Sequence, residues 1–299
     1  MTDYRAHLDA VVTFANGGSL TVEGFRIDLP NSHVTESEAA RLLVQHLGLA
    51  LVGAVDVTSF AIVEEAHRGT RGIEVAPRSS ARVVDVSHRI RAGLVTYPGL
   101  PAPTIAPFLT REDSRARYAP GTEFAMDVIT MIGNTGTYLD SPWHRYAEGP
   151  DLAGLDLATL VDLRAEVVRV TDLGTRGVPA SVFWDRDVAG AAVLVHTGWD
   201  RHFGTPEYAT GAPYLESEAV DYLVEQGATL VGIDSLNIDD TESGGERPAH
   251  TRLLAAGIHV VEHLTRLGDV PSHGARVTAA PPAVEGFGTF PVRAYAVVP

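Results

Sequence analysis

The most informative stretch of this chain is NTGTYLDSPWH, residues 134–144. Gly136 allows a close backbone turn, and Pro142 restricts the chain as it approaches His144. In an extended backbone, positions of equal parity point to one side, so positions 134, 138, 140 and 144 could face a common centre. The stretch therefore predicts a site in which one short segment presents several polar groups. The alternative is a polar turn whose Asp and His bond only to nearby backbone.

A second informative region follows about a hundred residues later. It contains GIDSLNID at 232–239 and PAHTRLLAAGIHVVE at 248–262. The pattern predicts a strand, a helix that carries His250 near its start, and a second strand that ends at Glu262. A carboxylate that follows an apolar run needs a partner if it is buried. The alternatives are a surface His on the helix and a solvated strand end.

Both regions resemble signatures of the Putative cyclase, or kynurenine-formamidase-like, metal hydrolases. The first signature reads H-x-G-T-H-x-D-x-P-x-H, and the second joins a G-I-D strand end, a helix His and G-I-x-x-x-E. The resemblance covers about residues 81–299, with further similarity at 85–88 and 286–294. It implies a mixed α/β fold with the family's swivelling β/β/α core. It also implies hydrolysis of an aryl formamide, lactam or other small amide, and a homodimer or homotetramer.

The resemblance also implies the metal ligands. Asn134, Tyr138 and Asp140 take the positions of one metal site, and Asp140, His250 and Glu262 take those of a second. The signature has His where this chain has Asn134 and Tyr138. Asn is a weak zinc ligand, and Tyr binds metal only as a phenolate, whose formation is costly at a reference pKa of about 10. We therefore expect one divalent ion, Zn or Mn, held by Asp140, His250 and Glu262.

The remaining roles are assigned by the same resemblance. His144 is expected to act as general acid and base beside a metal-activated water, with Asp140 and Tyr138 as the other catalytic residues. The phenol of Tyr138 could donate to a developing oxyanion, or it could only fill the volume of a missing ion. We expect substrate contacts from Asn134, Trp143 and Phe287, with ordinary packing as the alternative for the two aromatic residues.

Two other functions remain open at this point. One is a metal-independent cyclase or dehydratase, a lyase that would use Tyr138, Asp140, His144 and His250 directly. The other is a non-catalytic relative that binds a small molecule. The metal content of the purified protein distinguishes the hydrolase from both.

Composition narrows the choice of chemistry. The 299 residues contain no Cys, and all 23 basic residues are Arg, which excludes a Cys nucleophile, disulfides and a Schiff-base Lys. A formal net charge of -15 argues against nucleic acid or an anionic membrane as partner. Because the chain has neither a signal-peptide pattern nor a long apolar run, we expect a cytoplasmic protein that acts on a small molecule.

The pattern of apolar and turn residues predicts two domains. Residues 1–80 form an accessory α+β unit: a hairpin at 11–27, a helix after the Thr35 and Glu38 capping box, strands at 51–57 and 60–63, and a linker at 69–80. Residues 81–299 form the catalytic domain. Its predicted strands are 83–86, 166–170, 192–197, 229–233, 258–261 and 293–298, and its predicted helices are 217–226 and 248–256.

Overall fold

The computed structural model describes residues 2–29, 31–49, 51–66 and 81–299. The chain separates into two compact units, Met1–Pro77 and Arg78–Pro299, and each is described by itself. The predicted linker at 69–80, and with it the boundary at residue 80, lies outside the described residues. No helix in the described ranges has the length and apolar character that are needed to cross a membrane.

The N-terminal unit is a three-stranded antiparallel sheet with one helix. Its elements are β1 (Thr2–Phe14), β2 (Ser19–Leu29), α1 (Glu36–His46) and β3 (Val52–Ala66), and the strand order is β2-β1-β3. The predicted hairpin is confirmed, with Gly17 at a φ of 84° in its turn. The predicted capping box is also confirmed, because the Glu38 amide donates to Thr35 Oγ1 and Glu38 Oε2 accepts from the Thr35 amide.

The prediction of two strands at 51–57 and 60–63 was wrong. Both belong to the continuous strand β3. The register with β1 shifts between Ser59 and Val57, so Thr58 is an extra residue in the ladder. A β-bulge absorbs one residue without ending a strand, and residues 58–59 contain no Gly or Pro that would turn the chain.

The C-terminal unit contains thirteen strands and three helices among its described residues, 81–299. The strands are β4 (Arg82–Asp85), β5 (Thr104–Leu109), β6 (Met126–Thr130), β7 (Tyr138–Asp140), β8 (Leu163–Arg169), β9 (Gly177–Val178), β10 (Ala192–His196), β11 (Tyr214–Leu215), β12 (Leu230–Ile233), β13 (His259–Glu262), β14 (Arg276–Thr278), β15 (Thr289–Pro291) and β16 (Tyr295–Val298). The helices are α2 (Arg111–Ser114), α3 (Ser217–Glu225) and α4 (Pro248–Ala255).

One nine-stranded sheet organises this unit. Its order is β15-β7-β13-β12-β10-β8-β14-β16-β4. The central strands β8, β10, β12 and β13 are parallel, and the outer strands pair antiparallel. The two largest apolar clusters of this unit include alternate residues of β10, Leu194 in one and Val193 in the other, and a small third cluster contains Tyr208, Ala212 and Leu236. The expected mixed α/β fold is confirmed.

Every strand and helix predicted for residues 81–299 is present, with bounds that differ by one to three residues. Helices α3 and α4 are followed by Gly227 and Gly257, whose φ angles are 73° and 75°. A left-handed residue at this position is the usual end of a helix, and glycine adopts it without strain. Strands β5 and β6 were not predicted; they pair as a separate hairpin outside the main sheet.

Candidate metal centre and substrate cavity

Strand register brings the two predicted regions together. Strand β7 lies between β13 and β15. Tyr138 pairs with Glu262 of β13, and Asp140 pairs with Thr289 of β15. Side chains that lie directly opposite each other in an antiparallel pair are close neighbours. The register therefore places the carboxylates of Asp140 and Glu262 on one part of the sheet, and both are buried.

His144 reaches the site by a different route from the predicted extended segment. After Asp140 the chain forms a 3-10 turn, Pro142–His144, so the parity argument fails for this residue. Proline suits the first position of such a turn because it lacks an amide hydrogen and fixes φ. The backbone of Gly288 packs against this turn, where a Cβ atom would lie 2.6 Å from the His144 nitrogen. Glycine at 288 thus permits the close approach.

Asp239 holds His250 at the start of α4. Its carboxylate accepts hydrogen bonds from the backbone amides of Ala249 and His250, and Oδ2 also lies 2.6 Å from His250 Nδ1. A carboxylate on one ring nitrogen fixes the tautomer and directs the other nitrogen at a metal. Here His250 Nε2 lies 3.6 Å from Asp140 Oδ2 and 3.7 Å from Glu262 Oε1.

These donor atoms fit a cation. Ligand atoms of Asp140, His144 and His250 lie within 4.8 Å of one another. Asp140 Oδ2 is buried and has no hydrogen-bond partner among the described residues. Buried polar atoms are almost always satisfied, so an unpaired carboxylate oxygen beside an oriented imidazole is what a divalent ion requires. Glu262 is adjacent, with Oε1 3.7 Å from His250 Nε2; its oxygens accept hydrogen bonds from Ile238 N and from Tyr138, and each keeps a second lone pair for a cation.

A chain of buried hydrogen bonds surrounds Tyr138, one of the two positions where the signature has His. The Tyr138 hydroxyl donates to Glu262 Oε2 at 2.6 Å, and His263 Nε2 lies 3.2 Å from the same hydroxyl. Behind it, the Tyr208 hydroxyl lies 2.9 Å from His263 Nδ1. Burial, together with the charges of Glu262 and Asp140, raises the pKa of Tyr138 well above its ordinary value. The phenol keeps its proton, and its hydroxyl is engaged with Glu262 and His263.

Burial and mutual attraction set the charges of the cluster. Burial raises the pKa of Glu262 to about 7, against the opposing charge of His250. Burial would also raise the pKa of Asp140, but His250, His144 and Thr289 outweigh it and lower that pKa. Burial disfavours the charged form of His250, yet Glu262, Asp140 and Asp239 raise its pKa well above the ordinary value. A proton and a divalent ion therefore compete for the same nitrogen of His250.

Thr289 links Asp140 to His144. Its hydroxyl lies 2.5 Å from Asp140 Oδ1 and 2.7 Å from His144 Nδ1. An ionised carboxylate only accepts, so the Thr289 proton points to Asp140 and His144 Nδ1 must donate to the hydroxyl oxygen. This leaves Nε2 of a neutral His144 with a free lone pair.

A cavity of about 490 Å³ opens over this cluster. Asn134, Tyr138, His144, His250 and Glu262 line it, as the sequence analysis expected of a shared site. Trp143 and Phe287 are not among its lining residues; each is 39% exposed, and their contact with substrate stays a prediction. The other lining residues are Tyr97, Leu100, Ile132, Arg145, Asn237, Gly245, Arg247 and Thr251.

Four residues that shape the site were not predicted from the sequence. Asp239 orients His250, Tyr208 contacts His263, Thr289 joins His144 to Asp140, and His263 supports Tyr138. Asp239 and Thr289 stand inside regions that resemble the family, so they could have been nominated as supporting groups. Tyr208 and His263 carry no local signal.

Comparisons with known proteins agree with this geometry. The family described as "Putative cyclase" matches residues 84–240, more than half of the chain. A kynurenine formamidase of Geobacillus thermodenitrificans is 31% identical over 214 residues, 71% of this chain and 95% of the relative. A kynurenine formamidase of Bacillus cereus is 26% identical over 211 residues, also 71% of this chain and 95% of the relative.

Solved structures show the same fold. An isatin hydrolase bound to the product analogue thioisatinate matches with a TM-score of 0.63 and 24% identity, over 73% of this chain and 93% of that one. A structure described as a potential metal-dependent hydrolase with cyclase activity matches with a TM-score of 0.60 and 25% identity, over 74% of this chain and 99% of that one. The sequence and the fold agree, and the chain belongs to the Putative cyclase family.

Proposed function

We propose that this protein is a metal-dependent amidohydrolase that cleaves the C–N bond of an aryl formamide, a lactam or another small amide. One divalent ion, Zn or Mn, would be held by Asp140, His250 and Glu262. The observation that carries the proposal is the unpaired, buried Asp140 Oδ2 beside a His250 Nε2 that Asp239 orients. Relatives described as kynurenine formamidases support the choice of bond.

His144 supplies the proton transfers of this reaction. When bound, a divalent ion supplies Lewis acidity, which lowers the pKa of water and polarises a carbonyl oxygen. In the tautomer of His144 that donates from Nδ1 to Thr289, Nε2 carries the lone pair and accepts a proton as water adds to the carbonyl carbon. It returns that proton to the nitrogen as the C–N bond breaks, which yields a carboxylic acid and an amine.

The cavity fits a small substrate. Its volume of about 490 Å³ lies in the usual range for small-molecule sites. Leu100 and Ile132 give it an apolar wall, and Asn134 and Asn237 add neutral hydrogen-bonding groups. A substrate with an aromatic ring and one reacting amide matches this mixture.

Metal analysis joined to turnover tests the proposal. We expect about one equivalent of Zn or Mn per chain after dialysis, lost in Asp140→Ala and His250→Ala but kept in the exposed control Asp221→Ala. Turnover of formanilide or isatin should follow the metal, and His144→Gln should keep the metal while losing turnover. Activity that survives complete metal removal would instead indicate the lyase, and binding without turnover of any amide would indicate a non-catalytic relative.

We also propose a homodimer or homotetramer. The hairpin of β5 and β6 exposes large apolar side chains on both strands, among them Phe108 at 70%, Val128 at 48% and Ile129 at 47%. A two-stranded hairpin is marginal on its own in water, so a second copy of the chain is its proposed cover. Light scattering should give at least twice the chain mass, and Phe108→Asp with Ile129→Asp should give a monomer.

The cytoplasmic location expected from the sequence is a proposal that cell fractionation tests.

A further inference from the structure

Two guanidinium groups stand in the wall of the substrate cavity. Arg145 follows His144 directly, and Arg247 immediately precedes α4, which carries His250. Both line the cavity over the metal centre. Across the described ranges, no carboxylate pairs with either group within 4.0 Å, whereas Arg252 on α4 pairs with Asp221 at 2.8 Å. These two cations therefore lack an anion from the part of the chain that the structure describes.

Arg247 is held by hydrogen bonds to neutral groups, whereas Arg145 lies over an aromatic ring. Arg247 Nη1 donates to the carbonyl oxygens of Glu246 at 2.7 Å and Asp240 at 3.2 Å. Its Nη2 and Nε have no such partner among the described residues. The guanidinium carbon of Arg145 lies 5.4 Å from the centre of the Tyr146 ring. A guanidinium that is already fixed loses less freedom when it binds a planar oxyanion.

The two arginines belong to one wall. The Tyr146 hydroxyl donates to the Thr251 carbonyl of α4 at 2.8 Å, which ties the segment of Arg145 to the helix that follows Arg247. Thr251 itself lines the cavity. The wall of the cavity thus combines two cations, from Arg145 and Arg247, with the apolar side chains of Leu100 and Ile132.

The surrounding charge makes these cations informative. The chain has a formal net charge of -15, and Asp140, Asp239 and Glu262 lie beneath the cavity. A substrate that carries a negative charge would be repelled by that field unless cations offset it. A neutral amide would need no such arrangement. Arginine is also the residue that binds carboxylates with two parallel hydrogen bonds.

We propose that the substrate carries a carboxylate in addition to the reacting amide, and that Arg247 and Arg145 bind it. The inference rests on the proposed amidohydrolase activity and narrows its substrate class to anionic aryl amides. Arg247 and Arg145 are specificity residues in this scheme, since they contact the far end of the substrate and leave the proton transfers to His144.

Matched substrates test the carboxylate directly. Formanilide and the ortho, meta and para formamidobenzoates differ only in the presence and place of the carboxylate. We expect kcat/KM to be roughly 10- to 100-fold higher for at least one of the acids than for formanilide, as for a charge-assisted hydrogen bond in a partly buried site. The difference should lie in KM. Arg247→Gln and Arg145→Gln should each reduce that ratio, and Arg252→Gln should leave it unchanged.

Binding distinguishes failure of the inference from failure of the proposed function. If no amide is turned over, the proposed function fails, and calorimetry with benzoate and benzamide on the metal-loaded protein still decides the inference. Tighter binding of benzoate, weakened in Arg247→Gln, supports it. Equal binding of the two probes, or turnover in which the arginine variants slow formanilide and the acids by the same factor, would overturn it, because the arginines would then serve only the buried carboxylates.

Discussion

Removal of one oxygen atom from Tyr138 tests the account of the buried cluster most directly. Tyr138→Phe keeps the ring, which is only 2% exposed, and deletes the hydroxyl. Glu262 Oε2 then loses its 2.6 Å hydrogen bond and keeps only the side-chain amide of Asn237 at 3.5 Å. His263 Nε2 also loses its neighbour at 3.2 Å. The change therefore leaves a buried carboxylate and a buried imidazole less satisfied.

The expected loss of stability follows from the type of acceptor. A hydrogen bond to a charged group contributes about 1.5–3 kcal/mol, and an unsatisfied buried group adds a penalty of similar size. We expect Tyr138→Phe to lower the free energy of unfolding by about 3 kcal/mol. The matched control is Tyr146→Phe, whose hydroxyl donates to the neutral Thr251 carbonyl at 2.8 Å. That bond should contribute about 1 kcal/mol.

Urea unfolding followed by tryptophan fluorescence measures both losses. All three tryptophans, at 143, 184 and 199, belong to the C-terminal unit, so the signal reports the unit that holds the site. The measurement needs metal-free protein, because a bound ion would add its own stabilisation. It also needs a pH of about 8, above the pKa of about 7 that burial gives Glu262, so that the carboxylate is charged.

The pH dependence provides the decisive outcome. The phenol stabilises the ionised form of Glu262, so its loss raises the pKa of Glu262 above the wild-type value of about 7. The difference in stability between wild type and Tyr138→Phe is therefore full above that raised pKa and shrinks as the pH falls toward about 7. Equal losses in Tyr138→Phe and Tyr146→Phe at about pH 8, or a Tyr138→Phe loss that does not change down to about pH 5.5, would show that the phenol does not stabilise the ionised Glu262.

Three further predictions concern the metal centre and the pH dependence of stability. Asp239→Asn leaves His250 in place but replaces the carboxylate that orients it with a neutral amide. Chelator competition should then show metal affinity reduced roughly 10- to 100-fold. Asn134→His combined with Tyr138→His supplies the two ligands that the family signature has, and elemental analysis should show about one additional ion per chain. Burial lowers the pKa of His259 to about 4, so the folded state favours the neutral imidazole. The contribution of this group to the free energy of unfolding is fully present above the unfolded pKa of about 6.5, and it is lost as the pH drops toward 4. His259→Gln should flatten that fall by up to about 1.4 kcal/mol per pH unit, measured by urea unfolding between pH values of about 7 and 5.

The central strands were predictable because a strand that is buried on both faces has a nearly continuous run of apolar residues. Strands β10 and β12 are apolar along almost their whole length, as expected for parallel strands that are covered on both faces. The hairpin of β5 and β6 leaves no such trace, since every residue of its two strands except Leu109 is exposed. Strand β3 was divided because a bulge at Thr58 interrupts the alternation without ending the strand.

The proposed metal ligands were predictable from short motifs, but the contacts that support them were not. Asp140, His250 and Glu262 stand at fixed spacings within two signatures. Thr289 meets Asp140 across 149 residues, and only the pairing of β7 with β15 brings them together. Asp239 caps α4 because the loop between them folds back, and no pattern in residues 240–247 requires this. Contacts that depend on register or loop path have no local signal.

The geometry explains how one metal position can change while the other persists. Asp140 binds Thr289 through one oxygen and leaves the other free, and His250 depends on Asp239; neither bond involves Asn134 or Tyr138. On the proposed one-metal arrangement, the ion that positions 134 and 138 would have helped to hold is missing, so the two carboxylates beside Tyr138, Asp140 and Glu262, have the charge of only one ion to offset them. A buried carboxylate that loses its compensation is strongly destabilising. Tyr138 offsets part of that loss, because its hydroxyl donates a hydrogen bond to Glu262.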